Sequence, residues 1–318
     1  MKVAIIGGTG FVGSYIVDAL VAAGHLPRLM VRPGHEDRVR HPDGVEIVSG
    51  DLANRGDIAA VLDGAEAAIF NVGILREAPS QGITFQALQQ DAAIASIDVA
   101  QAAGIRRFLL MSANGVNAEG TPYQRTKALA EEHLAGSGLD WTVFRPSVIF
   151  GPPRGRMEFA TQLCHDLISA PMPAPLFFPG MQLNRAGAFQ LSPVHVEDVA
   201  SAFRIALETR ETVGRILHLG GPEALSWRQI LTRIARAVHK QKTLLPVPAL
   251  GVEAAAMLLD RFQQFPITRD QIRMLLQGNT CLPDDLESLG ITPRPFDEAQ
   301  LAYLNDKQES NTWQQNAA

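Results

Sequence analysis

The stretch Gly7-Gly8-Thr9-Gly10-Phe11-Val12-Gly13 constrains this chain more than any other. Ahead of it runs Val3-Ala4-Ile5-Ile6, an apolar segment of the kind buried on both faces of a parallel sheet. Behind it, Val12, Tyr15, Ile16, Ala19, Leu20 and Ala23 recur at the spacing of one helix face, and Gly24 stands where a helix ends. Strand, glycine turn and helix in that order are the parts of a dinucleotide-phosphate site. Glycines let the backbone approach a pyrophosphate, and the helix aims its free N–H groups and positive dipole end at the oxygens. The spacing is G-x-x-G-x-x-G rather than G-x-G-x-x-G.

Short apolar runs then alternate with helical patterns, which predicts a doubly wound parallel α/β sheet. Further strands are expected at Pro27–Val31, Val45–Val48, Ala67–Phe70, Phe108–Met111 and Trp141–Phe144, with a last one at Arg215–Leu219. A long helix is expected over Phe85–Ala103. Thr121-Pro122-Tyr123-Gln124 is a capping box with proline at the first helical position, opening a helix to Ala135. Ser226 to Gln229 is a second capping box, opening a helix through Val238. Between Pro152 and Phe189 the composition turns to proline, methionine and phenylalanine, which reads as a mobile cap or substrate loop. Val194–Ala206 reads as a short strand leading into a helix. Further helices are expected at Val252–Phe262 and Thr268–Gln277, a turn from Pro283 to Leu286, and a frayed tail after Asp306.

The charge balance of −5 over 318 residues shows no basic concentration of the kind that binds nucleic acid. Cys164 and Cys281 match no metal-ligand spacing, so no metal site is expected and the thiols read as reduced, in a cytoplasmic setting. The first strand starts next to Met1, leaving no room for a signal peptide. The longest apolar run, Leu244–Leu259, is broken by Pro246, Pro248 and Glu253, so no transmembrane segment is expected.

Chemistry enters at Tyr123 and Lys127, which share one face of the capped helix at i and i+4. An ammonium beside a phenol favours the phenolate, drawing its pKa down toward useful proton exchange, and the same lysine can hold ribose hydroxyls. Ser112, at the carboxyl end of a strand, stands where such sheets place ligand-facing residues, with Asn114 as a substitute donor.

Taken together, the chain resembles an extended or atypical short-chain dehydrogenase/reductase, of the NAD-dependent epimerase/dehydratase kind. Gly7 to Gly13, Asp51-Leu52, Asn71, Ser112, Tyr123-x-x-x-Lys127, Arg145 to Gly151 and Val194 to Ala200 fall in that family's order. The forms Tyr123 to Glu131 and Ile267 to Leu275 are similar to the branch that holds the Rossmann accessory subunit of respiratory complex I. The resemblance implies a Rossmann domain over 1–150, with 192–220 returning to it. A smaller, mainly helical cap is implied at 151–191 and 221–318. It implies Gly7, Thr9, Gly10, Phe11, Val12 and Gly13 around the pyrophosphate, Asp51 and Leu52 at adenine, and Asn71 and Gly73 on the ribose near nicotinamide. Pro146 and Val148 would border the nicotinamide. Tyr123 would be the acid/base, Lys127 its tuner and Ser112 the orienting donor.

Two departures sharpen this. Arg32 ends the second strand, where an acid would hold a ribose 2′-hydroxyl; a guanidinium there suits a 2′-phosphate, so NADP(H) is favoured over NAD(H). Arg28, Arg38 and Arg40 are lesser candidates for the same task. The interval from Ser112 to Tyr123 is short for a sugar epimerase, which weighs against a nucleotide-sugar substrate. His195 reads chiefly as packing, with substrate contact the lesser reading. The methionines and phenylalanines of Pro171–Phe189 are candidates to face an apolar, lipid-like or quinone ligand. Three functions stay open: an NADP(H)-dependent oxidoreductase acting on a small-molecule carbonyl or alcohol; a non-catalytic cofactor-holding subunit or assembly factor of a respiratory complex, with peripheral membrane or complex association; and an NADP(H) redox sensor.

Overall fold

The computed structural model describes residues 1–249, 251, 269–281 and 285–306. The helix expected at Val252–Phe262, the start of the one at Thr268, the Ile267 end of its motif, Pro283-Asp284 and the tail beyond Asp306 lie outside these residues. The chain forms two compact units. The first comprises Met1–Pro146, Val196–Leu219 and Asp285–Thr292. The second comprises the described residues of Ser147–His195, Gly220–Asp284 and Pro293–Ala318.

In chain order the first unit begins β1 (Lys2–Ile6), α1 (Phe11–Ala22), β2 (Leu26–Val31), β3 (Glu46–Ser49), α2 (Arg55–Leu62) and β4 (Ala67–Phe70). It continues α3 (Ala92–Ala102), β5 (Arg107–Met111), α4 (Pro122–Gly136) and β6 (Asp140–Pro146). The second unit then supplies β7 (Ile149–Phe150), α5 (Phe159–Leu163), β8 (Ala174–Phe178), β9 (Gln190–Leu191) and β10 (Val194–His195). The chain returns for α6 (Val196–Glu208) and β11 (Arg215–Leu219), then leaves again for β12 (Leu225–Ser226), α7 (Trp227–Ala237), β13 (Leu244–Pro248) and α8 (Arg269–Gln277).

The first unit is a seven-stranded sheet in the order β11-β6-β5-β4-β1-β2-β3, and every pairing is parallel. From β1 the chain builds outward to β2 and β3, then returns to β4 on the other side of β1. That reversal opens a crevice at the carboxyl ends of β1 and β4, where open α/β sheets bind ligands. Parallel strands are covered on both faces, which is why β4 is buried along its whole length. On one face Ile6, Phe70, Phe108, Leu110 and Val143 pack with Ile58 and Leu62 of α2, Ile97 of α3 and Leu134 of α4. On the other face α1 packs with α6, and Phe144 stacks on Phe203 with ring centroids 3.9 Å apart.

Arg107, at the start of β5, is a half-buried tie that sequence patterning does not reveal. Its guanidinium donates to the Asp140 and Ala206 carbonyls and to the hydroxyls of Thr142 and Thr212. Burial brings its pKa down to about 10, against the pull of Asp140.

The expected helix over Phe85–Ala103 is only partly α. Gln86–Asp91 is π-helical, and regular α geometry starts at Ala92. Within the wide turns Gln89 is buried and donates to the Ile74 carbonyl at 2.7 Å. Widened turns of this kind let an inward side chain reach past the regular ladder.

The second unit corrects the reading of Pro152–Phe189 as a mobile loop. β8 lies inside that stretch and pairs in parallel with β13, and Leu176, Phe177 and Phe178 are buried. Trp227 of α7 donates its indole N–H to the Pro175 carbonyl at 2.9 Å and stacks against Phe189. These phenylalanines therefore form core, while Met172 and Met181 are exposed. Short strand pairs accompany the region's helices, β7 with β10, β9 with β12 and β8 with β13. Such short pairs join residues too distant in sequence for periodicity to reveal.

Candidate functional site

The glycine turn sits at the carboxyl end of β1. Gly7 has φ +93°, and a Cβ there would overlap the Asn71 carbonyl; one on Gly13 would overlap the Gly7 carbonyl. A Cβ on Gly8 would fall 2.8 Å from Leu29 Cδ2. At Gly7 and Gly13 the overlap is with backbone, so the fold itself demands glycine there; at Gly8 it is with the end of a flexible side chain. Gly10 differs, because the nearest atom to its added Cβ is the Gly7 carbonyl oxygen at 3.4 Å. A side chain at Gly10 would meet little of the protein and would fill the space in front of the helix. Gly10 is also the N-cap of α1, which has no side-chain cap and no acidic residue in its first turn. A helix start of this kind, left open by a missing side chain, fits an anionic diphosphate.

Neighbouring loops hold the turn in place. The Asn71 amide N–H donates to the Ile6 carbonyl at 2.8 Å and its side chain to the Gly7 carbonyl at 3.4 Å, tying β4 to the turn. After β3, Asp51 accepts from the Ala53 N–H and donates its own to Asp57, while Leu52 packs partly against the core. Arg32 follows β2 directly and is exposed. Of its alternates, Arg28 is taken: it donates to the carbonyls of Ala60 and Asp63 and pairs with Glu46. Arg40 lies 3.9 Å from Asp18. Arg38 closes a short 3-10 turn, Glu36–Arg38.

The expected capping box forms: the Thr121 side chain accepts from the Gln124 N–H, and Gln124 accepts from the Thr121 N–H. It starts α4 so that Tyr123, Lys127 and Glu131 follow one another along one face. Lys127 is buried and donates to the Met111 carbonyl at 3.2 Å. Its Nζ lies 3.8 Å from where a Gly73 Cβ would be, so the ammonium adjoins the end of β4. The same Nζ sits 5.8 Å from the centre of the Tyr123 ring, and Phe85 packs edge-on against that ring at 5.7 Å.

Electrostatics here run against the sequence expectation. Burial pushes the Tyr123 phenol up to about 12 instead of letting Lys127 draw it down. The ammonium lies over the ring, and desolvation outweighs its effect on the hydroxyl. Lys127 itself is brought down to about 8 by burial, opposed by Glu131.

Ser112, the expected orienting donor, follows β5 directly. Its buried hydroxyl donates to Glu131. Glu131 also receives Arg145, whose Nε lies 3.1 Å from Oε1 and whose Nη2 lies 2.5 Å from Oε2. Glu131 and Arg145 belong to the motifs of the sequence, but neither carries a pattern that assigns it a task. The available signal was the i, i+4, i+8 series Tyr123, Lys127, Glu131. Asn114 lies 3.3 Å from His218 Nδ1.

Pro146 closes β6 and is buried. Val148 belongs to the second unit and packs against its core, and its carbonyl accepts from Val194. His195 is buried in β10 with its ring edge-on to Phe150 at 5.1 Å. Among the described residues, no group of three His, Cys, Asp or Glu could hold a metal ion, and no helix is long and apolar enough to cross a membrane.

Comparison with known proteins matches residues 7–164 to the NAD(P)H-binding family. An uncharacterized sugar epimerase of Bacillus subtilis is 32% identical over 53% of this chain and 82% of its own. A ceramide reductase of Caulobacter vibrioides is 27% identical over 84% of this chain and 80% of its own. A mitochondrial NADH dehydrogenase [ubiquinone] 1 alpha subcomplex subunit 9 of Arabidopsis thaliana is 27% identical over 89% and 70%. In fold, UDP-glucose 4-epimerase of Thermus thermophilus, solved with NAD, superposes with a TM-score of 0.68 at 19% identity, over 96% of this chain and 98% of that one. With a glycine turn at the switch point of a seven-stranded parallel sheet, the chain belongs to the extended short-chain dehydrogenase/reductase, or NAD-dependent epimerase, family and carries its NAD(P)-binding Rossmann domain.

Proposed function

We propose that the chain is an NADP(H)-dependent oxidoreductase acting on a carbonyl or alcohol, with Tyr123 as its acid/base. The observation that carries this is the placing of buried Lys127 over the half-buried Tyr123 ring on α4, with the ammonium against Gly73 at the end of β4. Gly7, Thr9, Gly10, Phe11, Val12 and Gly13 take the pyrophosphate, Asp51 and Leu52 the adenine, and Asn71 and Gly73 the adjoining ribose. Pro146 borders the nicotinamide ring. A bound nicotinamide supplies the hydride acceptor or donor. The chain's own part is to hold a proton at Tyr123 Oη and pass it to the substrate oxygen. A phenol at about 12 is protonated at neutral pH and therefore stands ready as an acid in the reducing direction. Lys127, with a pKa of about 8, is largely cationic at pH 7 and holds ribose hydroxyls. Arg32, exposed at the end of β2, supports a 2′-phosphate and hence NADP(H).

The relatives point to two substrate classes, since one is a ceramide reductase and another a sugar epimerase. The test of the reaction is Tyr123→Phe in a screen of carbonyl substrates with NADPH. Turnover is expected to fall by about 10²- to 10⁴-fold with dinucleotide binding retained. Unchanged turnover would remove Tyr123 from the mechanism.

A second reading, a cofactor-holding subunit of a larger complex, is favoured by the commitment of Ser112 to Glu131 and by the likeness to the Arabidopsis complex I subunit. Native purification separates the two: co-migration with a membrane complex supports the subunit, and NADPH turnover by the isolated chain supports the enzyme.

A further inference from the structure

We propose that Glu131, braced by Arg145 and Ser112, is a positioning residue that keeps Lys127 cationic and fixed against the end of β4. The inference deepens the oxidoreductase reading and rests on it for its purpose. Glu131 stands one helical turn beyond Lys127 on the same face of α4, just as Lys127 stands one turn beyond Tyr123. It is buried, and a carboxylate left unpaired there would carry a large desolvation cost. Arg145 of β6 offsets that by gripping both carboxylate oxygens, and Ser112 at the end of β5 adds a hydroxyl donor. The three residues come from three separate elements, so the carboxylate has a single allowed placement.

The groups around Lys127 leave Glu131 as its negative partner. On α4 itself these are Tyr123 and Glu131. β5 contributes the Met111 carbonyl, and the loop after β4 contributes Gly73. From β6 comes Arg145, already paired with Glu131. The π-helical turns packed on α4 contribute the Phe85 ring beside Tyr123, while Asp91 of those turns is exposed. Burial alone drives an ammonium toward its neutral form, which holds a ribose hydroxyl less firmly and no longer favours a phenolate. Glu131 opposes that drift. On this assignment Ser112 anchors the carboxylate and does not itself orient a substrate.

The test uses the full chain labelled with ¹³C at lysine Cε, with the Lys127 signal identified by its loss in Lys127→Met. Glu131→Gln keeps the shape and hydrogen-bonding capacity but removes the charge. Its Lys127 midpoint is expected to fall by about one unit or more. Glu131→Asp should return it toward the wild-type midpoint, and Arg145→Gln, which strips Glu131 of its counter-ion, should raise it. An unmoved or raised midpoint in Glu131→Gln would overturn the proposal. Should that variant not fold, a midpoint in Arg145→Gln that is unmoved or lowered would do the same. NADPH titration of the same wild-type sample keeps the parent reading separate: absent binding breaks the oxidoreductase reading, whereas normal binding with unmoved Lys127 midpoints breaks only the role of Glu131.

Discussion

The glycine turn and the face of α4 build two halves of one candidate site by opposite means. At Gly7 to Gly13 the chain removes side chains and lets backbone N–H groups and a helix dipole do the work. Along Tyr123, Lys127 and Glu131 it draws titratable side chains partly or fully inward, and what surrounds Tyr123 and Lys127 sets their protonation. A backbone site is insensitive to pH and sensitive to any added atom. A side-chain site is tolerant of small shape changes and sensitive to every charge nearby.

Substitutions can break this contrast. The largest stability effect is expected at Lys127. Its folded pKa of about 8 lies below the ordinary value of 10.5, so holding the ammonium in the fold opposes folding below pH 8. Wild-type stability attributable to this group rises as pH climbs from 8 to 10.5, because there the unfolded chain binds more protons. Lys127→Met should therefore raise unfolding stability at pH 7 by on the order of 3 kcal/mol. That advantage should vanish by about pH 10.5 while dinucleotide binding is lost, as urea titrations across pH will show. A pH-independent difference would mean that burial is not what sets this group.

The backbone half should respond with no pH dependence. Gly13→Ala forces a methyl against the Gly7 carbonyl and should cost roughly 1–3 kcal/mol, measured by the same titrations. Arg32→Ala should weaken NADPH binding by about ten- to a hundredfold and leave NADH nearly unchanged, measured by fluorescence titration. Equal losses for both would detach Arg32 from the 2′-phosphate. The smallest stability change is expected for Gly10→Ala, under about 1 kcal/mol, since the added methyl meets little of the fold. Dinucleotide affinity should still fall about tenfold, because the methyl fills the space in front of α1. If Gly10→Ala unfolds the chain as readily as Gly13→Ala, the distinction between the two glycines is lost.

Much of the backbone half is legible in the residues themselves. A glycine turn between an apolar strand and a helix needs only local geometry, and β1 and α1 form where the pattern puts them. The capping boxes at Thr121 and Ser226 are equally local, and both form with reciprocal hydrogen bonds. The i, i+4 spacing of Tyr123 and Lys127 likewise follows once α4 starts at Pro122.

The rest depends on partners distant in sequence. Arg28 and Arg32 are alike as residues four apart near one strand. Only the sheet decides that Arg28 meets the carbonyls of Ala60 and Asp63 while Arg32 emerges at the carboxyl end. β8 looked like a loop because its partner β13 is contributed from far along the chain. Gln86–Asp91 departs from α geometry where Gln89 reaches the Ile74 carbonyl, a contact invisible to periodicity.

For this protein, then, the amino-acid sequence by itself determined the turn, the order along the chain of the seven strands of the parallel sheet, and which residues share one face of α4. The tertiary structure alone decided that Ser112 answers to Glu131, that the Tyr123 phenol is pushed up, and that the Lys127 ammonium is brought down to about 8. Backbone conformation and helical spacing are set by neighbours in sequence. The protonation of a buried group is set by the dielectric and the charges that folding brings around it.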